Sequence, residues 1–279
     1  RIQTFTQIIH VDGLKVGIQM ALLHLNLITS AFDKVKYPYG NLEVSVNLRN
    51  FFFWRSLQRK KWEPKLIQYL FNLSIKNQTI FDVGAWIGPT AILFSYLVEP
   101  NGRIEAFEPM PETFKLLVSN IHSNNLANVH PHNLAISNVE RQVRLLSPTK
   151  LSTSASMIRY KNRNDGEKRI IITSKSTTID NFCKKTGIVP NGIKIDVEGA
   201  EGLVFKGAIE TINLYKPWII VEFHGHFMSD EEKKACWRLI TKHAKKIVYI
   251  EGDGPHYDVG DEINKNEIPS GRFNMHLWY

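Results

Sequence analysis

The sequence predicts an α/β protein with a mostly parallel sheet doubly wound by helices, and three observations predict it. Short apolar runs of strand length recur at Thr79–Val83, Arg103–Phe107, Ile193–Val197 and Trp218–Phe223. Between them lie longer segments with apolar residues at helical spacing, and strands that alternate with helices build a parallel sheet. Finally, the last two strand candidates, Ile247–Ile250 and Phe273–Trp278, are joined by a polar loop with no helix, so this end of the sheet should hold one antiparallel member.

Taken in order, residues 1–60 form an N-terminal extension. Residues 1–37 suggest one or two helices, and Asn41–Phe53 alternates with Leu42, Val44, Val46 and Leu48 on one face, as a half-exposed strand or hairpin arm would. Residues 61–279 form the main domain. Trp62-Glu63-Pro64 opens a helix running to Leu73, with Leu66, Ile67, Leu70 and Phe71 as its buried face. After the first two core strands, a helix over Glu112–Asn124 should bury Phe114, Leu117, Val118 and Ile121. Val129–Ile136 is a third strand region, and Gln142–Leu146 an additional strand. Ser147–Lys168 is polar and reads as a loop over the site. A short strand at Ile170–Thr173 follows, then a helix with a threonine N-cap in Thr177-Thr178-Ile179-Asp180. Gly202–Leu214 is the next helix, and Ser229-Asp-Glu-Glu232 is a capping box for another.

Composition narrows the class. The chain has 279 residues, 43% hydrophobic and 22% charged, an ordinary globular balance that can bury a full core. Its two cysteines, Cys183 and Cys236, lack disulfide or zinc spacing and suit a reducing, cytoplasmic setting as small buried hydrophobes. The net charge of +8 invites nucleic acid. The basic residues are scattered over Arg55–Lys61, Arg159–Arg169 and Lys233–Lys246, however, which favours a solvated surface over a binding track. Val16–Phe32 is the most apolar stretch, but Gln19, His24 and Asn26 interrupt it, so it reads as an amphipathic helix and not a membrane span.

The chemistry starts at Asp82-Val-Gly84-Ala85-Trp86-Ile-Gly88-Pro89. Gly84 permits a tight turn with positive φ, and Pro89 suits the first helical position. The N–H groups of such a helix start can hold an anionic group. The spacing is D-x-G-x-x-x-G, which lacks the G-x-G of a dinucleotide fingerprint and the G-K-[ST] of a phosphate loop. It is similar to the turn of S-adenosylmethionine (SAM) methyltransferases. Glu108 ends the second strand, where an acid accepts hydrogen bonds from ribose hydroxyls in nucleotide-binding α/β folds.

A second constellation is Lys194-Ile-Asp196-Val-Glu198-Gly-Ala-Glu201, followed one strand later by Glu222 and His224. On extended backbone Asp196 and Glu198 share a face, as do Glu222 and His224, so carboxylates and an imidazole could converge. Glu201 reads as a charge at a helix N-terminus. His224 is the first candidate for a general base and Asp196 the second, with Glu198 beside them. No metal-ligand set is assigned. A divalent ion held by Asp196, Glu198 and His224 is the less favoured way to activate a hydroxyl.

FDVGAWIG, EAFEPMPETF, NLAIS, TTIDNF, IKIDVEGAE and PWIIVEFHG, in this order, closely resemble the FkbM-type family of SAM-dependent methyltransferases over about Trp62–Glu251. The resemblance implies a Rossmann-like class I methyltransferase fold and O-methylation of a small-molecule or sugar hydroxyl, with S-adenosylhomocysteine as product. It implies that Asp82, Gly84, Ala85 and Gly88 flank the methionine part of the cofactor. By the same resemblance Glu108 holds the ribose, Ala135 and Ile136 line the adenine, and Asp196 sits near the methyl group with Glu198 nearby. Trp86 stands where the family often has a small polar residue. The rival readings are an RNA or DNA methyltransferase, for which the [DN]-P-P-[FY] tetrapeptide is absent, and a non-catalytic SAM-binding protein.

Overall fold

The computed structural model describes residues 14–24, 31–147, 156–157, 170–253 and 257–279. Most of the polar loop expected over Ser147–Lys168 lies outside them, as does much of the helical region expected in residues 1–37. The chain divides into two compact units, Arg1–Phe71 with His122–Asn125, and Asn72–Ile121 with Leu126–Tyr279. Among the described residues no helix is long and apolar enough to cross a membrane.

In the first unit, α1 (Leu14–His24) buries Val16 and Leu23 in a small core with Ala31, Leu48 and Phe51. β1 (Phe32–Lys36) and β2 (Glu43–Asn47) form a hairpin, antiparallel from Phe32 opposite Asn47 to Lys36 opposite Glu43; β2 is the expected arm, while β1 is strand at the end of the stretch read as helical, residues 1–37. The strand stops six residues before Phe53. The Asn47 side chain accepts the Arg49 N–H, which opens a 3-10 turn over Leu48–Asn50 and leads into α2 (Phe51–Gln58). Three aromatics in a row, Phe51, Phe52 and Phe53, therefore lie on a helix, where the alternation had suggested a strand. α3 (Pro64–Phe71) buries Leu66, Ile67 and Leu70, with Phe71 half-buried.

The second unit holds the main sheet. β3 (Thr79–Val83) is buried through Val83, and α4 (Pro89–Leu97) follows it with proline at its first position. β4 (Arg103–Phe107) leads to α5 (Pro111–Ser123), whose inner face is Thr113, Leu116, Leu117, Asn120 and Ile121. Phe114 and Val118 are only half-buried, because Asn120 turns inward to give a hydrogen bond to the Ile87 carbonyl at 2.9 Å. That polar anchor rotates the buried stripe away from the purely apolar one.

The expected third strand region splits in two. β5 (Val129–His132) joins the main sheet, while β6 (Ala135–Ile136) pairs in parallel with a strand of a second, four-stranded sheet. Ser176 and Thr177 lie opposite Ala135 and Ile136. The other members of that sheet are β7 (Gln142–Ser147), β8 (Ser156–Met157) and β9 (Ile170–Thr177), the last longer than its apolar run. Thr178 caps α6 (Ile179–Thr186) by accepting the Asn181 N–H.

β10 (Gly192–Ile195) precedes two short helices, α7 (Glu201–Lys206) and α8 (Ile209–Tyr215), where one helix was expected. The break is at Gly207, where any Cβ would lie 2.1 Å from the carbonyl oxygen of Ser137, just past β6, so only glycine fits there. β11 (Trp218–Phe223) is followed by α9 (Asp230–Thr241), which starts with the capping box of Ser229 and Glu232. α9 buries Cys236, Trp237 and Ile240, and leaves Leu239 half-buried. β12 (Lys246–Gly252) and β13 (Phe273–Trp278) complete the sheet.

The seven strands run in the order β12-β13-β11-β10-β3-β4-β5. β11, β10, β3, β4 and β5 are mutually parallel, and β13 is antiparallel to both its neighbours. From β3 the chain moves outward one way to β4 and β5, then returns to β10 and moves the other way. The strand order therefore reverses between β3 and β10. In open α/β sheets ligands bind at the carboxyl ends of the strands at such a reversal.

Candidate active site

The reversal brings Gly84, just past β3, against Asp196, just past β10. The Asp196 N–H is bonded to the Val83 carbonyl at 2.9 Å, so the two strand ends are locked together. Gly84 has φ of +84°, and a Cβ there would sit 1.8 Å from the Asp196 carbonyl oxygen. The glycine is required twice, by its backbone angle and by this close approach.

The turn is held from inside the protein. The N–H groups of Gly84 and Ala85 both go to the Phe107 carbonyl, at 3.0 and 2.9 Å, and that of Gly88 goes to the Ala85 carbonyl. The Trp86 N–H goes to one carboxylate oxygen of Glu108 at 3.0 Å, and the Met110 N–H to the other at 2.8 Å. These turn amides are thus committed to the protein itself. What the turn presents instead is carboxylate. Glu108 is fixed by backbone on both oxygens, and each oxygen keeps a second lone pair for a ligand donor. Its own carbonyl accepts a hydrogen bond from Asn133 at 2.8 Å, which ties it to the chain entering Ala135 and Ile136. Both of those residues are buried, and Ile136 belongs to the main apolar core.

Asp82 lies beneath the turn and is fully buried. One of its oxygens accepts from Thr90 at 2.8 Å, while the other makes no hydrogen bond among the described residues. Across the sheet, Lys194 is opposite Asp82 in register, and its ammonium lies 3.9 Å from Asp82 and 3.1 Å from Asp196. The signal for this lysine is visible in the sequence, since a cation within the apolar run Ile193-Lys194-Ile195 must be buried with a partner.

Asp196, Glu198 and His224 do converge, with one ligand atom from each within 4.8 Å of the others. The route differs from shared strand faces. β10 ends at Ile195, and Glu198 and Gly199 both adopt left-handed backbone, φ +51° and +95°, so a tight turn swings the Glu198 carboxylate back toward Asp196. His224 is wholly buried just past β11. Its Nδ1 is 2.8 Å from a carboxylate oxygen of Glu201, and the same oxygen accepts the Gly199 N–H at 2.9 Å. Glu201 stands in the first turn of α7, as expected of a helix N-terminal charge, and is in addition a fully buried orienting partner for the imidazole. The other ring nitrogen, Nε2, lies 3.7 Å from Glu222, 3.8 Å from Glu198 and 4.0 Å from Asp196.

Burial pulls the His224 pKa down, but the Glu201 hydrogen bond and the charges of Glu201, Glu222 and Asp196 outweigh it and raise it to about 10. Burial pushes Glu198 and Glu108 each up to about 7. Burial would also raise Asp196, yet Lys194 and His224 hold it below the usual carboxylate range. Burial raises Asp82. Both cysteines are free and buried, and burial pushes the Cys236 thiol up to about 12, so neither offers a thiolate.

Residues 82–259 match the model of the methyltransferase FkbM domain, which is more than half of the chain and includes every site residue named above. The chain belongs to the FkbM methyltransferase family. A curated relative of this FkbM chain is the hexuronic acid methyltransferase AglP of Haloferax volcanii, 27% identical over 176 residues. That match takes in 62% of this chain and 66% of the relative, just under two thirds of the relative's length. Among solved structures, an FkbM methyltransferase from Methylobacillus flagellatus is similar with a TM-score of 0.47 and 15% identity, over 74% of this chain and 45% of that one. Aeropyrum pernix fibrillarin, solved with natively bound SAM, is similar with a TM-score of 0.42 and 13% identity, over 77% and 72% of the two chains. The fold of the FkbM chain is a Rossmann-like class I methyltransferase fold, with its sheet parallel except for the β13 strand.

Proposed function

We propose that residues 61–279 form a SAM-dependent O-methyltransferase domain whose acceptor is a sugar hydroxyl, most specifically one on a hexuronic acid. The observation that carries this reading is Glu108, a carboxylate pinned by two backbone amides beside the reversal-point turn, with lone pairs left to take ribose hydroxyls. The donor set fits the cofactor in a second respect. The carboxylates of Asp82, Glu108, Asp196 and Glu198 lie close enough to feel one another's charge, and an oxygen of Asp82 lacks a hydrogen bond among the described residues, which suits a ligand that carries ammonium and sulfonium charge. In this reading Gly84, Ala85 and Gly88 frame the methionine end, Ala135 and Ile136 lie toward the adenine, and Asp196 lies nearest the methyl group.

SAM supplies a methyl group on a positively charged sulfur that leaves as a neutral thioether. The protein's task is to align an acceptor oxygen with that methyl and to receive the hydroxyl proton. Asp196 and Glu198 are the members of the cluster that reach solvent, with side chains 21% and 18% exposed against 1% for His224. The acceptor therefore meets the two carboxylates first, and either can pass a proton on to water. His224, held through Nδ1 by Glu201, fixes where those carboxylates lie.

The acceptor class rests on the name of the Haloferax relative and is tested with a panel. Free and glycosidically linked hexuronic acids, the matching neutral hexoses, and a structured RNA are each incubated with SAM labelled at its methyl group. Label is expected on the uronic acids, at least about tenfold faster than on the neutral sugars. Transfer to RNA with none to any sugar would overturn the acceptor assignment.

A further inference from the structure

We propose that Asp196, Glu198 and the Nε2 of His224 form a binding site for one divalent cation of the Mn2+ or Mg2+ class. Two ligand atoms on a common ion at roughly 2.1–2.3 Å lie no more than about 4.5 Å apart. His224 Nε2 is 3.8 Å from Glu198 Oε2 and 4.0 Å from Asp196 Oδ1, inside that limit.

The spacing alone would suit any acidic cluster, and the imidazole decides between them. If the carboxylates served only to neutralise a charged histidine, its Nε2–H would donate to one of them at about 2.8 Å. On the other side of the ring that is what happens, with Nδ1 2.8 Å from Glu201. On this side the nearest carboxylates stand off at 3.7–4.0 Å, and Nε2 is a fully buried nitrogen with no hydrogen-bond partner among the described residues. It points into the space that Asp196 and Glu198 border. Glu198 likewise makes no hydrogen bond among the described residues, and its strained left-handed backbone is what brings it there.

The surrounding groups are arranged as a metal's outer shell would be. A metal-ligating histidine usually gives its other ring N–H to a carboxylate, which fixes the ring and leaves the far nitrogen for the ion. Glu201 does this, and is itself held by the Gly199 N–H; a cation bound at Nε2 takes the place of the proton that the surrounding carboxylates otherwise keep there, and that proton is released to solvent. Lys194 takes Oδ2 of Asp196 and leaves Oδ1 facing the cluster. Glu222 borders the same space, its Oε1 3.7 Å from His224 Nε2, but that oxygen is already engaged by Arg272 at 3.1 Å, so it serves the cluster as a neighbouring charge. Two carboxylates and one imidazole suit a hard-to-borderline ion and leave coordination positions for oxygens of an acceptor.

The role of the ion, though not the site itself, rests on the methyl-transfer reading above. Holding the acceptor oxygen, it lowers the pKa of that hydroxyl. The O–H proton then passes to water at the exposed edge of Asp196 and Glu198. The oxygen forms its bond to the methyl carbon, and the carbon–sulfur bond breaks with its electron pair kept by sulfur.

The test titrates chelator-treated full-length chain with Mn2+, reading free Mn2+ by electron paramagnetic resonance, with a SAM titration of the same sample alongside. One Mn2+ per chain is expected, displaced by excess Mg2+, with nitrogen modulation in the spin echo from His224. Glu198→Gln, which preserves shape, should weaken binding by at least about tenfold, and His224→Ala should remove the nitrogen signal. If His224→Ala fails to fold, Glu198→Gln carries the result. A chain that binds SAM but takes up no Mn2+ at millimolar concentration overturns the metal site and leaves the methyltransferase reading intact. So does Mn2+ uptake that Glu198→Gln leaves unchanged. Mn2+ uptake without SAM binding supports the site and contradicts the cofactor reading.

Discussion

Gly84→Ala is expected to remove SAM binding, lowering affinity by at least about 100-fold. Two costs fall on one methyl group. The residue sits at φ +84°, a left-handed conformation that costs an L-residue roughly 1–2 kcal/mol. The new Cβ would also meet the Asp196 carbonyl oxygen at 1.8 Å, a backbone atom that cannot swing away. Relief requires the ends of β3 and β10 to separate, which breaks the 2.9 Å bond from the Asp196 N–H to the Val83 carbonyl. The same movement displaces Asp196. Gly187→Ala makes the control, since that glycine is also left-handed at φ +72° but a Cβ there meets nothing within 4 Å. Calorimetry on both variants, with circular dichroism to establish folding, checks the claim. SAM binding by folded Gly84→Ala within a few-fold of wild type would show that the turn is not the cofactor cradle.

Asp196→Asn is expected to cut single-turnover methyl transfer at saturating SAM by about 100- to 10,000-fold, over and above any loss of SAM affinity that removing its charge brings. Asparagine keeps the shape and can still accept the 3.1 Å hydrogen bond from Lys194, so the strand ends should hold. What goes is the negative charge nearest the acceptor, along with an oxygen able to receive a proton or ligate an ion. Measuring labelled methyl transfer at saturating SAM separates this from a binding defect. Turnover within about fivefold of wild type would exclude Asp196 from the chemistry.

Much of this site can be read from the sequence where side-chain position follows directly from strand and turn geometry. The β3–turn–α4 element was legible because Pro89 and two glycines leave few alternatives. Glu108 was legible because a strand of five residues, Arg103–Phe107, delivers the next side chain to the sheet's edge. Asp196, Glu198 and His224 were named together, yet for a reason that does not hold. Strand alternation ends at Ile195, and the left-handed pair Glu198-Gly199 does the work instead. The role of Glu201 was missed for the same reason. Without that reversal a first-turn glutamate faces water, and with it the carboxylate folds under the turn to reach His224. The inward rotation of α5 and the helical fate of Phe51–Phe53 depend on single polar contacts, Asn120 to Ile87 and Asn47 to Arg49, that residue periodicity does not register. Such contacts are non-local or involve capping, and a hydrophobic pattern carries no trace of them.

The central claim is that the Glu108 carboxylate holds the nucleoside of SAM, and calorimetric titration of wild type and Glu108→Gln with SAM tests it most directly. Burial pushes Glu108 up from 4.5 to about 7, and the ribose hydroxyls need the ionised form as acceptor. A ligand that binds only the deprotonated group must bind more tightly as pH rises through that value. Wild-type affinity should therefore increase by up to roughly tenfold from about pH 6 to about pH 8, beyond any change shown by the variant. At the higher pH, Glu108→Gln should bind at least about tenfold more weakly than wild type. Equal affinities for the two proteins, with the same pH dependence, would contradict the assignment of Glu108 and leave the cofactor's place in the fold to be found elsewhere.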